Sequence, residues 1–198
     1  MLTNFQIETL AKKMNMPLER VCFKNELGEE PLKYNVGYVI NSQDDVDEDT
    51  GIDNEGAHWV ALYVQKSADG KINPFYFDSF GIPPAENVKK FVKHYVPYST
   101  KDIQSIMADC CGFFCLAFLY FVSTSHLRSG TLYSDCETFL DLFDDLNTSH
   151  DFKKNEWILS QFFVAKDPAK RKEIDVFKDV ETEQNPNMVY MPIDCKYS

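Results

Sequence analysis

The sequence predicts an α+β domain in which a small sheet packs against helices and one central helix is buried. Residues 110–122 are apolar apart from Gly112. A membrane-spanning helix needs about 20 residues, so this shorter stretch predicts a helix inside a protein core. The dipeptide Asp69-Gly70 lies between two segments rich in β-forming residues, which predicts a β-hairpin.

The other elements follow from local signals. Thr3 and Gln6 fit a capping box that opens an N-terminal helix, which Pro17 ends. Strands are predicted at residues 36–41, 58–65 and 73–79, and a short one at residues 103–107. Further helices are predicted at residues 84–96, from Cys111 to about Ser125, from a capping box of Ser134 and Glu137 onward, and around Trp157 to Phe162.

The predicted elements divide the chain into a domain and a tail. Residues 1–163 contain every periodic segment and are predicted to form one domain. Beyond Val164 the chain is charged and holds Pro168, Pro186 and Pro192. Residues 164–198 are therefore predicted to be a charged tail or an extended arm.

The charge of the chain restricts its partners. The formal net charge is −11 and the pI is about 4.8. A surface that neutralises phosphates needs clustered Lys and Arg, so the composition argues against nucleic acid as the main partner. The first residues lack a basic segment followed by an apolar run, so a secretory signal is not expected. A membrane partner is not expected either, because the longest apolar stretch, residues 110–122, is too short to span a bilayer.

Six cysteines are present, and three of them crowd together at Cys110, Cys111 and Cys115. A disulfide scaffold spreads its cysteines more evenly, so free thiols in a reducing compartment are expected. Structural zinc needs a second pair of Cys or His ligands. The chain offers no such pair, and we expect neither a metal nor a cofactor.

An acidic loop at residues 42–57 precedes His58 and contains no Lys or Arg. Such a loop is usually solvated, and here it has room to contact substrate or to bind a cation weakly. Its Asp spacing suggests a calcium loop, but the glycine and glutamate that such a loop requires are out of register.

Cys111 is the candidate nucleophile. It lies where a polar segment meets the apolar helix, and a helix N-terminus favours an anion such as a thiolate. Gly112 leaves space beside it for a substrate backbone. The alternative is that Cys111 is a small buried side chain, and adjacent Cys110 is a second candidate.

His58 and Asp78 are placed to activate a thiol. The hairpin turn brings the end of its second strand beside the start of its first, so Asp78 can orient the imidazole of His58. The imidazole can then accept the thiol proton. Alternatively, His58 is a surface residue and Asp78 a turn former. Gln104, seven residues before Cys111, is a candidate donor to an oxyanion.

Together these residues resemble a known family of proteases. The segments Gly56-Ala57-His58-Trp59-Val60, Tyr76-Phe77-Asp78-Ser79-Phe80-Gly81, Gln104 and Cys111-Gly112-Phe113-Phe114-Cys115 are similar to the adenoviral maturation protease (adenain) and its relatives in virophages and Maverick/Polinton elements. More distantly they are similar to the ubiquitin-like-protein-specific proteases. The resemblance covers about residues 1–145.

The resemblance implies a papain-like fold of the adenain type, with a small mixed sheet and the nucleophile on the central helix. It implies that His58 is the base, Asp78 the orienting residue, Gln104 the oxyanion donor and Cys111 the nucleophile. Trp59 would wall the substrate channel. The implied substrates are capsid or other structural precursors, cleaved after small residues such as glycine inside the virion or the infected cell.

Two departures concern activation. The adenoviral enzyme is basic and is activated by DNA and by a disulfide-linked peptide. The acidic composition of this chain argues against DNA as an activator. A peptide activator needs a cysteine anchor, and Cys22, Cys136 and Cys195 are all open to that role.

Three other functions fit parts of the pattern. An isopeptidase that removes ubiquitin-like proteins uses the same thiolate and channel. Some bacterial acetyltransferases share the order His, acid, Gln, Cys, but a coenzyme-binding region is not recognisable here. A non-catalytic binding module is expected to lose His or Cys, and this chain retains both.

Overall fold

Four strands form one sheet in the order β1-β2-β3-β4. A computed structural model describes residues 1–54, 56–124 and 131–163; the predicted tail at 164–198 lies outside them. Strands β1 and β2 are parallel, whereas β2–β3 and β3–β4 are antiparallel, so the sheet is mixed. The strands span Leu18–Phe23 (β1), Val36–Asn41 (β2), Trp59–Lys66 (β3) and Ile72–Phe77 (β4).

The helices surround this sheet. Thr3 accepts a hydrogen bond from the Gln6 amide, and the Gln6 side chain reciprocates, so the predicted capping box is confirmed. A short 3-10 helix, Lys24–Glu29, follows β1. The α-helices of the described residues span Asn4–Lys13 (α1), Glu86–Val92 (α2), Cys111–Thr124 (α3), Leu132–Leu140 (α4) and Phe152–Ser160 (α5).

Strand β3 is buried on both faces because helices cover the sheet on both sides. Alternate side chains of a strand point to opposite faces. One set, Trp59, Ala61 and Tyr63, joins the core formed with α1, α3, α4 and α5. The other set, Val60, Leu62 and Val64, packs in a second core with α2 and the 3-10 helix.

Helix α3 is the buried central helix that the apolar stretch predicts. Phe118 and Leu116 are fully buried within it. The Phe118 ring stacks on Phe77 of β4, with ring centroids 4.7 Å apart. Because α3 packs against the sheet, its first residue lies near the ends of β3 and β4.

The predicted strand at residues 103–107 is wrong. Its backbone forms a loop, in which the Ile103 amide bonds to the Ser79 carbonyl and the Ala108 amide bonds to the Ser105 carbonyl. Strand β1 and the 3-10 helix were missed, because Glu19 and Arg20 interrupt any apolar alternation in β1.

Several helix bounds also differ from the prediction. Helix α1 ends at Lys13, before Pro17, since Asn15 takes a left-handed backbone. Helix α2 ends at Val92 because the next residue, Lys93, also takes a left-handed backbone. The cap of α4 is Thr131, so this helix begins before the predicted Ser134.

Candidate active site

The ends of the β3–β4 hairpin hold His58 against Asp78. His58 immediately precedes β3 and Asp78 immediately follows β4. His58 Nε2 donates to Asp78 Oδ1 over 2.9 Å. The same carboxylate oxygen accepts the Phe80 amide at 2.8 Å, and Phe80 stacks on the imidazole at 4.6 Å between centroids. The ring is therefore fixed by a hydrogen bond in its plane and by an aromatic ring on its face.

The imidazole of His58 also lies close enough to Cys111 to interact with its side chain. Because Nε2 contacts Asp78, Nδ1 is the ring nitrogen that remains for the sulfur. Burial lowers the pKa of His58, but the hydrogen bonds and charges of Asp78 and Cys111 outweigh burial and raise this pKa to about 9. The structure thus brings the three side chains together in the order Asp78, His58, Cys111.

Cys111 is the first residue of α3 and is only 3% exposed. No acidic side chain lies in the first turn of the helix. Cys111 therefore lies at the end of the helix where unpaired backbone amides make the local potential positive.

The other described cysteines differ in their surroundings. Cys22, Cys115 and Cys136 are reduced and buried, and burial raises the pKa of the Cys115 and Cys136 thiols. Cys110 is 1% exposed and disulfide-bonded, so the expectation of free thiols is wrong at this position. A disulfide sulfur is not a nucleophile, which favours Cys111 over Cys110.

Gln104 is buried at 3% exposure in the loop that precedes α3. Its Nε2 donates to the Ala108 carbonyl at 2.5 Å, and its Oε1 accepts from the Ser79 hydroxyl at 2.8 Å. Ala108 lies three residues before Cys111 along the chain. The side-chain amide is thus held beside the segment that leads into the nucleophile.

Sequence reasoning included Ser79 and Phe80 in the segment that carries the family resemblance but gave neither residue a role in the site. The Asp78–Gly81 turn is closed by the Gly81 amide, which donates to the Asp78 carbonyl. Gly81 has φ +70, and a Cβ there would lie 2.5 Å from the Thr100 carbonyl oxygen. The signals in the sequence were that these residues directly follow Asp78 and that they belong to the segment with the family resemblance.

Trp59 and Gly112 lie beside the N-terminal segment. The indole N–H of Trp59 donates to the Leu2 carbonyl at 2.8 Å, and Trp59 is 2% exposed. A Cβ on Gly112 would meet the Leu2 side chain at 3.2 Å and the Trp59 ring at 3.4 Å. Leu2 and Trp59 therefore occupy the space beside Gly112. The roles of Trp59 and Gly112 in substrate binding stay predictions.

The acidic loop is organised by its own backbone. Val46 and Asp53 form an isolated antiparallel bridge. Asp47 accepts from the Thr50 hydroxyl and amide, which lowers the pKa of its carboxyl group. Within the described residues, no group of three or more His, Cys, Asp or Glu side chains could hold a metal ion.

A cleft of about 710 Å³ lies away from this site, between the 3-10 helix and α2. None of the predicted site residues lines this cleft, so the cleft is not evidence for the location of the active site.

Among residues 1–54, 56–124 and 131–163, no helix is both long and apolar enough to cross a bilayer.

Comparisons with known proteins identify a structural likeness. No family model matches the chain, and no curated protein matches it. Among solved structures, the chain is similar to HopZ1a, crystallised in complex with IP6, with a TM-score of 0.42 and 11% sequence identity. The match covers 69% of this chain and 47% of the other, so it spans about half the length of that protein.

Proposed function

We propose that the chain is a cysteine endopeptidase with a papain-like fold of the adenain type, which cleaves viral or transposon structural precursors after small residues. The observation that supports this proposal is the contact of one imidazole with both Asp78 and Cys111. A cysteine protease needs this order of groups, because the imidazole must exchange a proton with the sulfur while a third group holds its orientation.

In the proposed reaction, His58 holds the proton that Cys111 has given up before substrate binds, and the thiolate attacks the scissile carbonyl carbon. The carbonyl π electrons move to oxygen, and the resulting oxyanion accepts hydrogen bonds from the Gln104 side chain and the Cys111 backbone N–H. The C–N bond then breaks, and His58 gives its proton to the leaving amine. Water, deprotonated by His58, hydrolyses the thioester and regenerates the thiol.

The proposed substrates are capsid or other structural precursors, processed in the virion or the infected cell. The resemblance in residues 56–60, 76–81 and 111–115 supports this choice. An activating peptide is compatible with the proposal, whereas activation by DNA fits poorly with a net charge of −11.

Replacement of the nucleophile tests the reaction class. Cys111→Ala is expected to abolish cleavage of a fluorogenic peptide with glycine before the scissile bond, while circular dichroism stays unchanged. Cys22→Ala removes another reduced, buried thiol and is expected to retain activity. Turnover by Cys111→Ala at the wild-type rate would contradict the proposal.

Substrate competition separates the alternatives. Cleavage of a capsid precursor, with no release of a ubiquitin-like protein from a fusion, supports the endopeptidase. The opposite preference would assign the chain to the isopeptidases. Transfer of radiolabel from acetyl-coenzyme A to Cys111, with no peptide cleavage, would instead make it an acetyltransferase.

A further inference from the structure

Ser79 links the two halves of the candidate site. It follows Asp78 directly and is fully buried. Its hydroxyl donates to Gln104 Oε1 at 2.8 Å. Its carbonyl accepts the backbone amides of Ile103 at 2.8 Å and Gln104 at 3.2 Å. One residue therefore connects the end of the β3–β4 hairpin to both the backbone and the side chain of the loop that holds Gln104.

We propose that Ser79 is a positioning residue that orients the Gln104 amide so that its NH₂ group is available to the oxyanion. This inference rests on the proposed function, because an oxyanion forms only if Cys111 attacks a carbonyl group. The two ends of a side-chain amide have nearly the same shape, and only their hydrogen-bond partners distinguish them. An amide turned the other way would present oxygen, which repels an oxyanion.

Two tethers define the orientation of the Gln104 side chain. The Ala108 carbonyl, which can only accept, holds the nitrogen of the amide, and the Ser79 hydroxyl donates to its oxygen. The bond to Ala108 uses one of the two N–H groups of Nε2 and leaves the second for a substrate oxygen. Without the Ser79 hydroxyl, Oε1 loses its donor in a buried place, and a buried unsatisfied acceptor is costly. The Gln104 side chain is then expected to adopt another orientation in which Oε1 regains a donor.

Ser79→Ala isolates the hydroxyl, because alanine keeps the carbonyl that binds the amides of Ile103 and Gln104. Loss of one oxyanion donor costs about 100- to 1,000-fold in rate. A misoriented Gln104 is expected to lose only part of its stabilisation of the oxyanion. The kcat should therefore fall about 10- to 100-fold with little change in KM. Ser99→Ala is the matched control, since Ser99 is also buried but its hydroxyl accepts from the Lys101 amide.

A double-mutant comparison and a second chemistry exclude a merely structural role. If Ser79 acts through Gln104, Ser79→Ala combined with Gln104→Ala should be no slower than Gln104→Ala alone. Alkylation of Cys111 by iodoacetamide needs the thiolate but forms no oxyanion, so its rate in Ser79→Ala should equal that of wild type.

Three results would overturn this role for Ser79. They are wild-type turnover by Ser79→Ala, multiplied losses in the double mutant, and slowed alkylation of Cys111 in Ser79→Ala. Failure of the proposed function looks different: the wild-type protein would cleave none of the peptides although Cys111 is still alkylated. That outcome removes the oxyanion, and the role of Ser79 with it.

Discussion

His58 shows how a few contacts decide the chemistry of one residue. Burial alone lowers the pKa of an imidazole, because a charged ring loses its hydration. Here the carboxylate of Asp78 and the sulfur of Cys111 reverse that effect and raise the pKa of His58 to about 9. The ring thus holds a proton at neutral pH and can pass it to a leaving amine. Turnover should fall as the pH rises through about 9, where the ring loses that proton.

Asp78→Asn tests this account at the scale of one residue. The amide keeps an oxygen for the Phe80 N–H but removes the charge that favours the imidazolium. The pKa of His58, followed by NMR titration, should fall well below 9, and the alkaline limb of kcat/KM should move down with it. The rate at neutral pH should drop by about two to four orders of magnitude. An unchanged His58 titration and an unchanged rate would exclude Asp78 from the mechanism.

The sequence predicts some of these residues better than others. His58 and Asp78 can be paired from the hairpin signal at Asp69-Gly70, because antiparallel register is a local property. Ser79 cannot be recognised in the same way, since a serine after an aspartate is common in turns. Its partner Gln104 comes from a distant loop, and only the packed structure shows their contact.

At the level of secondary-structure elements, the Asp78–Gly81 turn positions both the Asp78 carboxylate and the loop that holds Gln104. The Asp78 carbonyl accepts a hydrogen bond from the Gly81 amide, and the Ser79 carbonyl accepts hydrogen bonds from the Ile103 and Gln104 amides. Gly81 is needed at the end of this turn, because its φ is positive and the Thr100 backbone lies against it. A change at this glycine should disturb the position of Asp78 without touching the reacting atoms.

Gly81→Ala and Gly70→Ala form a matched pair. Both glycines have positive φ, at +70 and +85, but a Cβ at Gly70 meets nothing within 4 Å. Gly70→Ala should cost only the left-handed backbone penalty of about 1–2 kcal/mol and keep its activity. Gly81→Ala should lower the free energy of unfolding by at least about 1 kcal/mol more, since backbone must shift, and should lose activity. Urea denaturation with parallel assays measures both effects, and equal losses for the two variants would contradict this role of the turn.

Elements were predictable where their own residues determine them. Helix α3 is apolar all round, so burial follows from composition, and β2 was predicted with its observed bounds. Strand β1 was missed because Glu19 and Arg20 break its apolar alternation, and because its parallel pairing with β2 joins segments separated by a 3-10 helix. The loop at residues 103–107 resembles a strand in composition, but bonds to Ser79 and within the loop determine its path.

At the scale of the molecule, the fold places chemically similar thiols in different environments. Cys111 and Cys115 lie one turn apart on α3, yet only Cys111 contacts an imidazole. Cys115 is completely buried, and its thiol has a strongly raised pKa. The α+β class and the central helix followed from the sequence, but this partition of reactivity depends on the contact between the sheet and α3.

Alkylation of all cysteines under native conditions tests the central claim, that His58 activates Cys111. The protein is treated with iodoacetamide at pH 6.5, and each cysteine is quantified by mass spectrometry in wild type, His58→Ala and the control His94→Ala, which changes an exposed histidine. We expect Cys111 to react first in wild type and in His94→Ala, and about tenfold or more slowly in His58→Ala. Cys22, Cys115 and Cys136 should react slowly in all three proteins. Equal rates at Cys111 with and without His58 would contradict the claim.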